Sequence, residues 1–386
     1  MKNGPRVRTA APVWMAALLL LGAGGSLGAC ASSERPEVET PTEGASEEAS
    51  EEAPAEAEVR ERPDEVAEEE AIECEGPPVE LAFGWPRRLE ARVKSLELIE
   101  IEDSRGEEPA RHGVPTEHRL EVSPGGEDRL HVQFAAVGDG RPRLDGLIME
   151  YGGERPTLVV GEEEGNLLAL EGVGKMKASH DEVSEEQGLD EKEAAEIFQR
   201  LREEPLLDDA RGWWHLVVSG WAGRRIGCDE AQTETREMPI KTLGGVSVPV
   251  AIEWRYLGEV PCGEGSGRQG QTCVELAALV QADPAQTQKL LEGRVQAASG
   301  AQGNALRVQR AELVRMVRVR VEPETLVLHR VRAEEHIASA FELPSGRAAG
   351  RRQSDVHALA FQYGTEAVES PDESGDVGGG ESPEVR

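Results

Sequence analysis

The run Val246-Ser247-Val248-Pro249-Val250-Ala251-Ile252-Glu253-Trp254-Arg255-Tyr256 sets Val248, Val250, Ile252, Trp254 and Tyr256 on alternate positions, the cleanest period of two in the chain. Alternation of this length puts one set of side chains on one face of a strand, and β-branched and aromatic residues suit a pleated, half-buried surface. Val274, Leu276, Ala278 and Val280 repeat the pattern after a loop bounded by Cys262 and Cys273. Towards the N-terminus, Leu89, Ala91 and Val93 alternate with charged residues, whereas Leu96 and Leu98 fall out of phase and predict a bulge before Ile99 and Ile101. Leu120 and Val122 lead into Ser123-Pro124-Gly125-Gly126, after which Leu130, Val132, Phe134 and Ala136 alternate, as a hairpin requires. Shorter strands are expected over 144–151, 157–160 and 167–170. Towards the C-terminus, Val317, Val319 and Val321 alternate with arginines, residues 322–325 turn, Val327 and Val331 return, and 337–343 and 356–363 add two more strands.

Three segments change period. Asp190 and Glu193 have capping-box spacing, and Ala194, Ile197, Phe198 and Leu201 form one helical stripe until Pro205 stops it. A second helix is expected from Asp208 or Asp209, with Trp213, Leu216, Val217, Gly220 and Trp221 recurring at helical spacing, so that both indoles share a face. Asp283 followed by Pro284 reads as an N-cap with proline at the first helical position, opening a helix that buries Leu291, Val295 and Ala298. The expected fold is therefore α+β: a mainly antiparallel, curved sheet, half-barrel-like, with three helices packed on it.

The formal charge of −32 is unevenly spread. Residues 34–75 carry 18 acidic against 3 basic side chains, and residues 365–386 carry 7 against 1. So acidic a surface repels phosphate backbones, which excludes nucleic acid as a partner unless one face is strongly basic. The exception is 306–352, with ten basic and six acidic residues. There Arg318 and Arg320 lie opposite Val317 and Val319, while Arg330 and Arg332 lie opposite Val327 and Val331. These four arginines are either a solvated face balanced by cross-strand glutamates or a docking surface for an anionic partner, a headgroup or the chain's own acidic segment.

Chemistry-bearing motifs are sparse. Gly265-Ser266-Gly267-Arg268-Gln269-Gly270 has the letters of a dinucleotide fingerprint but precedes a strand, where the motif needs a helix N-terminus. The eight histidines form no metal-binding pair, and His215, beside Trp213 and Trp214, is the one worth following as a base. No cofactor, metal site or catalytic constellation is expected. Trp213, Trp221 and Trp254 are core residues or, if the sheet leaves room, the lining for an apolar ligand.

The first thirty residues supply an address. Lys2, Arg6 and Arg8 precede an apolar run from about Ala10 to Leu21, too short to span a bilayer comfortably, which ends in Leu27-Gly28-Ala29-Cys30. This resembles the signal and lipobox of bacterial lipoproteins. The resemblance implies removal of residues 1–29, acylation of Cys30, and anchoring to a membrane. Ala31 and Ser32 lack the aspartate that retains such proteins in the inner membrane, so the implied place is the outer membrane, periplasmic or surface-facing. Residues 30–78, poor in large apolar side chains, read as an acidic tether, 79–364 as the folded part, whole or in halves at 79–180 and 181–364, and 365–386 as a disordered tail. An exported chain keeps disulfides. Of the three pairings open to Cys74, Cys228, Cys262 and Cys273, the ten-residue loop favours Cys262 with Cys273, leaving Cys74 with Cys228. The strand-rich pattern resembles, loosely, the half-barrel carriers of lipids and lipoproteins in the bacterial envelope. The expected function is a membrane-anchored, non-enzymatic binding module for an apolar or lipid-like ligand. The alternative is a protein-interaction or structural envelope lipoprotein without ligand, and behind it an envelope enzyme.

Overall fold

The computed structural model describes residues 74–364, apart from 104–109, 137–142, 241–245, 264–270, 300–306 and 343–347 and positions 75, 152, 187, 189, 190 and 229. Cys30, the signal, nearly all of the tether, the tail, Asp190 and the 265–270 glycines lie outside these residues. The long strands are β2 (Leu89–Asp103), β3 (Ala110–Pro124), β4 (Arg129–Ala136), β10 (Ala231–Ile240), β11 (Val246–Pro261), β12 (Thr272–Ala282), β13 (Arg307–Val321), β14 (Leu328–Glu342) and β15 (Ala348–Tyr363). The short ones are β1 (Val79–Glu80), β5 (Arg143–Asp145), β6 (Ile148–Glu150), β7 (Thr157–Gly161), β8 (Leu167–Glu171) and β9 (Arg225–Ile226). Eleven form one antiparallel sheet in the order β10-β11-β12-β13-β14-β15-β2-β3-β4-β7-β8, which does not close on itself.

The alternation in β11 is realised residue by residue: Val248, Val250, Ile252, Trp254 and Tyr256 are all buried, and the residues between them are not. Pairing of β15 with β2 zips the last strand to the first long one. The core consequently runs in one cluster from Leu81 to Tyr363.

Among the described residues there are five helices rather than three: α1 (Val173–Ala178), α2 (His180–Glu186), α3 (Glu191–Arg200), α4 (Glu203–Trp214) and α5 (Pro284–Ser299). The two extra ones are short and bury few residues each, Val173 and Met176 in α1, His180 and Val183 in α2, too little periodicity to stand out. Pro205 does not stop a helix but occupies the first turn of α4, where a missing N–H costs nothing. The N-cap of α5 is as expected: the Asp283 carboxylate accepts the Gln286 N–H at 2.7 Å.

The tryptophan stripe is displaced. After α4 the chain makes a π-turn (His215–Ser219), in which the Gly220 N–H reaches the His215 carbonyl at 2.9 Å. Trp214, not Trp213, joins Trp221 in the core, both with no exposed surface, and Trp214 donates to the Gly165 carbonyl. The turn seats Gly220 against the Trp254 ring, where an added Cβ would lie 2.4 Å from Cη2.

Helix α4 packs on both β8 and β10, the two edges of the large sheet. Arg211 donates to the Leu167 and Leu168 carbonyls of β8, while Gly212 abuts Met238 of β10. One helix is only about 10–12 Å across, so the sheet bends round it. The concave side holds α4, Trp214, Trp221 and Trp254, and α5 covers a smaller cluster of Leu291, Val295, Val308, Ala311 and Phe341 at the far end.

Candidate functional site

Three places collect polar or exposed apolar chemistry: the outer face of the sheet, the surroundings of His215, and the tryptophans.

The outer face is built by register. Arg318 lies directly across from Arg332 and Arg320 across from Arg330, so the four predicted arginines form one block. Continuing across the sheet, one row reads Arg255, Ala277, Arg318, Arg332, Ala358, Leu96, Pro115. The next row towards the strand middles reads Glu253, Leu279, Met316, Glu334, Val356, Leu98. Like charges facing one another across strands are unfavourable, and glutamates relieve part of this. Glu275 accepts from Arg320 at 2.9 Å and Glu334 from Arg332 at 2.7 Å. The glutamates of the first reading are therefore in place for two of the four arginines.

Leu96 and Leu98 correct the sequence reading. The pairing of β2 with β3 and β15 runs without a register shift, so there is no bulge. The two leucines simply point to the outer face, Leu96 with 41% of its surface exposed. With Leu279, Val314, Met316 and Val356, all half-buried, they make an apolar belt beside the arginines. Residues on four strands compose it, so no local window could reveal it. At the far end of the face, Glu102, Arg310, Glu312, Ala338, Ala340 and Arg352 line an open cleft of about 570 Å³.

Around His215 the polar groups do converge. Its Nε2 lies 2.9 Å from Glu234 Oε1, Arg224 donates to the other carboxylate oxygen at 2.5 Å and to Gln232 at 3.0 Å, and Trp254 Nε1 donates to Glu234 at 3.3 Å. Arg224 also lies over the Trp254 ring, 4.5 Å from its centre. Burial pushes the His215 imidazole below its ordinary pKa, and Arg236 adds to this. Burial alone would raise Glu234, but His215 and Arg224 outweigh it and hold the carboxylate below the usual range. A neutral imidazole donating to a carboxylate that Arg224 keeps ionised satisfies both. Arg224 also donates to the Gly220 carbonyl and Gln232 to the Arg225 carbonyl, which ties the cluster to the backbone beside Trp254 and makes it a polar clamp on that ring.

The clamp predicts a pH dependence. A histidine whose folded pKa is depressed destabilises the fold once the unfolded chain begins to protonate, below about pH 6.5. Glu234 adds stability that is present above about pH 4.5 and lost as the pH falls further. Melting temperature should therefore fall on acidification from pH 7, and His215→Gln should flatten the upper part of that fall. Parallel curves for the two proteins would show that His215 is not the group responsible.

The tryptophans make different contacts. Trp221 and Trp254 pack edge to face with centroids 4.5 Å apart, both without exposed surface. Trp213 lies apart from them, half-buried, beneath the Arg315 guanidinium at 4.7 Å and edge-on to His357. Their rings are spent on core contacts. Both expected disulfides are present, Cys74–Cys228 joining the end of the tether to the segment after the π-turn and Cys262–Cys273 joining β11 to β12.

No family model matches the chain. No curated protein matches it. Among solved structures it is similar to one described as "lipid-protein interactions in lipovitellin", at 9% identity and a TM-score of 0.31, over 74% of this chain and 26% of that one. The chain thus spans about a quarter of that protein's length, and a score so low does not establish a shared fold.

Proposed function

We propose that this is an exported, lipid-anchored, non-enzymatic binding module whose outer sheet face docks on anionic lipid headgroups. Cys30 carries the anchor, and the acidic segment that follows it links the domain to the outer membrane that holds it. The observation that carries the reading is the register: four arginines in one block beside an apolar belt, on the most basic part of a chain of charge −32. Guanidinium suits phosphate, and each basic side chain near an anionic surface contributes about 1 kcal/mol. Tethering supplies a high effective concentration, so weak contacts suffice.

On the concave side Trp221 and Trp254 spend their rings on each other. The lipid-like ligand of the sequence reading therefore moves to the outer face, with headgroups on the arginines and Leu96 and Leu98 against the acyl boundary.

The test is co-sedimentation of the unlipidated Cys30→Ser chain with vesicles. Vesicles of phosphatidylglycerol should bind more tightly than phosphatidylcholine, less so as salt rises. Replacing Arg318 and Arg330 by Ser should weaken binding by roughly 30-fold, the equivalent of about 2 kcal/mol. Binding indifferent to lipid charge would sink the proposal. Capture of acidic peptides without vesicle binding would favour the protein-interaction alternative.

A further inference from the structure

We propose that Cys262, Cys273 and His329 form a metal site that becomes available when their disulfide is reduced, taking a zinc-like divalent cation. The three residues are buried, and one ligand atom from each lies within 4.8 Å of the others. His329 arrives there by a backbone irregularity. Arg320 pairs with Arg330 and Val321 with Leu328, so His329 is the extra residue of a bulge, a device that re-aims a side chain.

One side of the imidazole is held by a carboxylate. Its Nε2 lies 3.1 Å from Glu322 Oε1, and a carboxylate there accepts the Nε2–H, leaving the lone pair on Nδ1. Nδ1 is buried and has no hydrogen-bond partner. A buried acceptor left unused is unfavourable, and a bound cation would satisfy it. Carboxylate, imidazole and metal in that sequence is the usual arrangement of a histidine ligand and the group that orients it. The edge-on ring of Tyr363, 5.4 Å away centre to centre, packs against the imidazole.

The chemistry balances. A dithiol gives two electrons and two protons to the Cys262–Cys273 disulfide and closes into a disulfide of its own. One divalent cation then displaces the two thiol protons and binds two thiolates and Nδ1, with water in the fourth position. The unit is neutral, which suits a buried place where an unbalanced charge is expensive. Zinc–sulfur bonds of about 2.3 Å and a zinc–nitrogen bond of about 2.0 Å set tetrahedral ligands roughly 3.5–3.8 Å apart. The sulfurs must therefore separate from bonding distance, while Cα atoms 4.9 Å apart already sit near enough for the change to come from side-chain rotation and a small shift of the loop. Disulfide and metal are thus two alternative closures of one hairpin end. The Cys74–Cys228 pair differs, since the neighbour of its Cys74 sulfur is the Tyr256 carbonyl, 3.6 Å away, which is no comparable ligand.

The experiment titrates cobalt(II) into the full chain carrying Cys74→Ser and Cys228→Ser, oxidised or reduced with a phosphine that competes little for metal. The reduced protein should take up one equivalent, with the ligand-field bands of tetrahedral cobalt and a thiolate charge-transfer band, and zinc should displace it. The oxidised protein should take up none. Cys273→Ser should abolish the spectrum, and Glu322→Gln should weaken affinity by about 10–100-fold with the spectrum kept. Should these variants unfold, the unmodified chain still decides the matter: zinc should raise the melting temperature of the reduced form and not of the oxidised form. Absence of a cobalt spectrum and of a zinc-dependent shift in reduced protein would overturn the proposal. So would uptake that survives replacing Cys262 and Cys273 together, or a His329→Gln protein with unchanged affinity and spectrum.

Discussion

Truncating Trp254 to alanine should cost about 3–5 kcal/mol, a large share of the roughly 5–15 kcal/mol that holds a domain together. The ring is fully buried and packs edge to face on Trp221 and on His215. It also seats Gly220 and carries the Arg224 guanidinium. Its removal leaves a cavity between elements distant in sequence and takes one donor from Glu234, whose charge must then be held by His215 and Arg224. Urea unfolding should show a much lower midpoint with little change in slope, the mark of lost stability without a change in the surface exposed. Trp221→Ala should behave alike. The comparison that decides is Leu98→Ser on the outer face, which should stay within about 1 kcal/mol of the parent while weakening vesicle binding. If Trp254→Ala left stability intact and abolished binding of a fluorescent fatty acid, the concave side would be a ligand cavity, and the interior carrier would be the better account.

The second large effect concerns location. Cys30→Ser should transfer the protein from the membrane fraction to the soluble one, and the intact mass of the native protein should show residues 1–29 gone and acyl chains added. Each buried methylene contributes about 0.8 kcal/mol, so the two or three chains implied by the lipoprotein resemblance hold essentially permanently, whereas the arginine face alone holds weakly and reversibly. A Cys30→Ser protein that stays with the membrane at high salt, together with a native protein that bears no acyl chain, would remove both the anchor and the geometry on which docking by the outer face depends.

What could be read in the sequence was whatever a short window contains. Alternation at 248–256, 274–280 and 317–321 gave strands because a pleat puts every second side chain on one face whatever the strand's neighbours are. Asp283-Pro284 gave a helix start because a cap is satisfied within three residues, and Cys262–Cys273 was legible because the loop between the two cysteines is short. The four arginines could be placed on one face of two strands, but not in one block, since facing Arg318 to Arg332 is a matter of register between strands. Register likewise turned Leu96 and Leu98 from an apparent bulge into part of an exposed belt. The π-turn that exchanges Trp213 for Trp214 answers to the close seat of Gly220 on Trp254, thirty-four residues away, and has no signature in the local period. His329 reads in sequence as one more histidine. Only the assembled sheet brings its ring near the two sulfurs of the β11–β12 hairpin, because contacts between distant segments are chosen by how all the apolar faces are buried together, and no single segment carries that information.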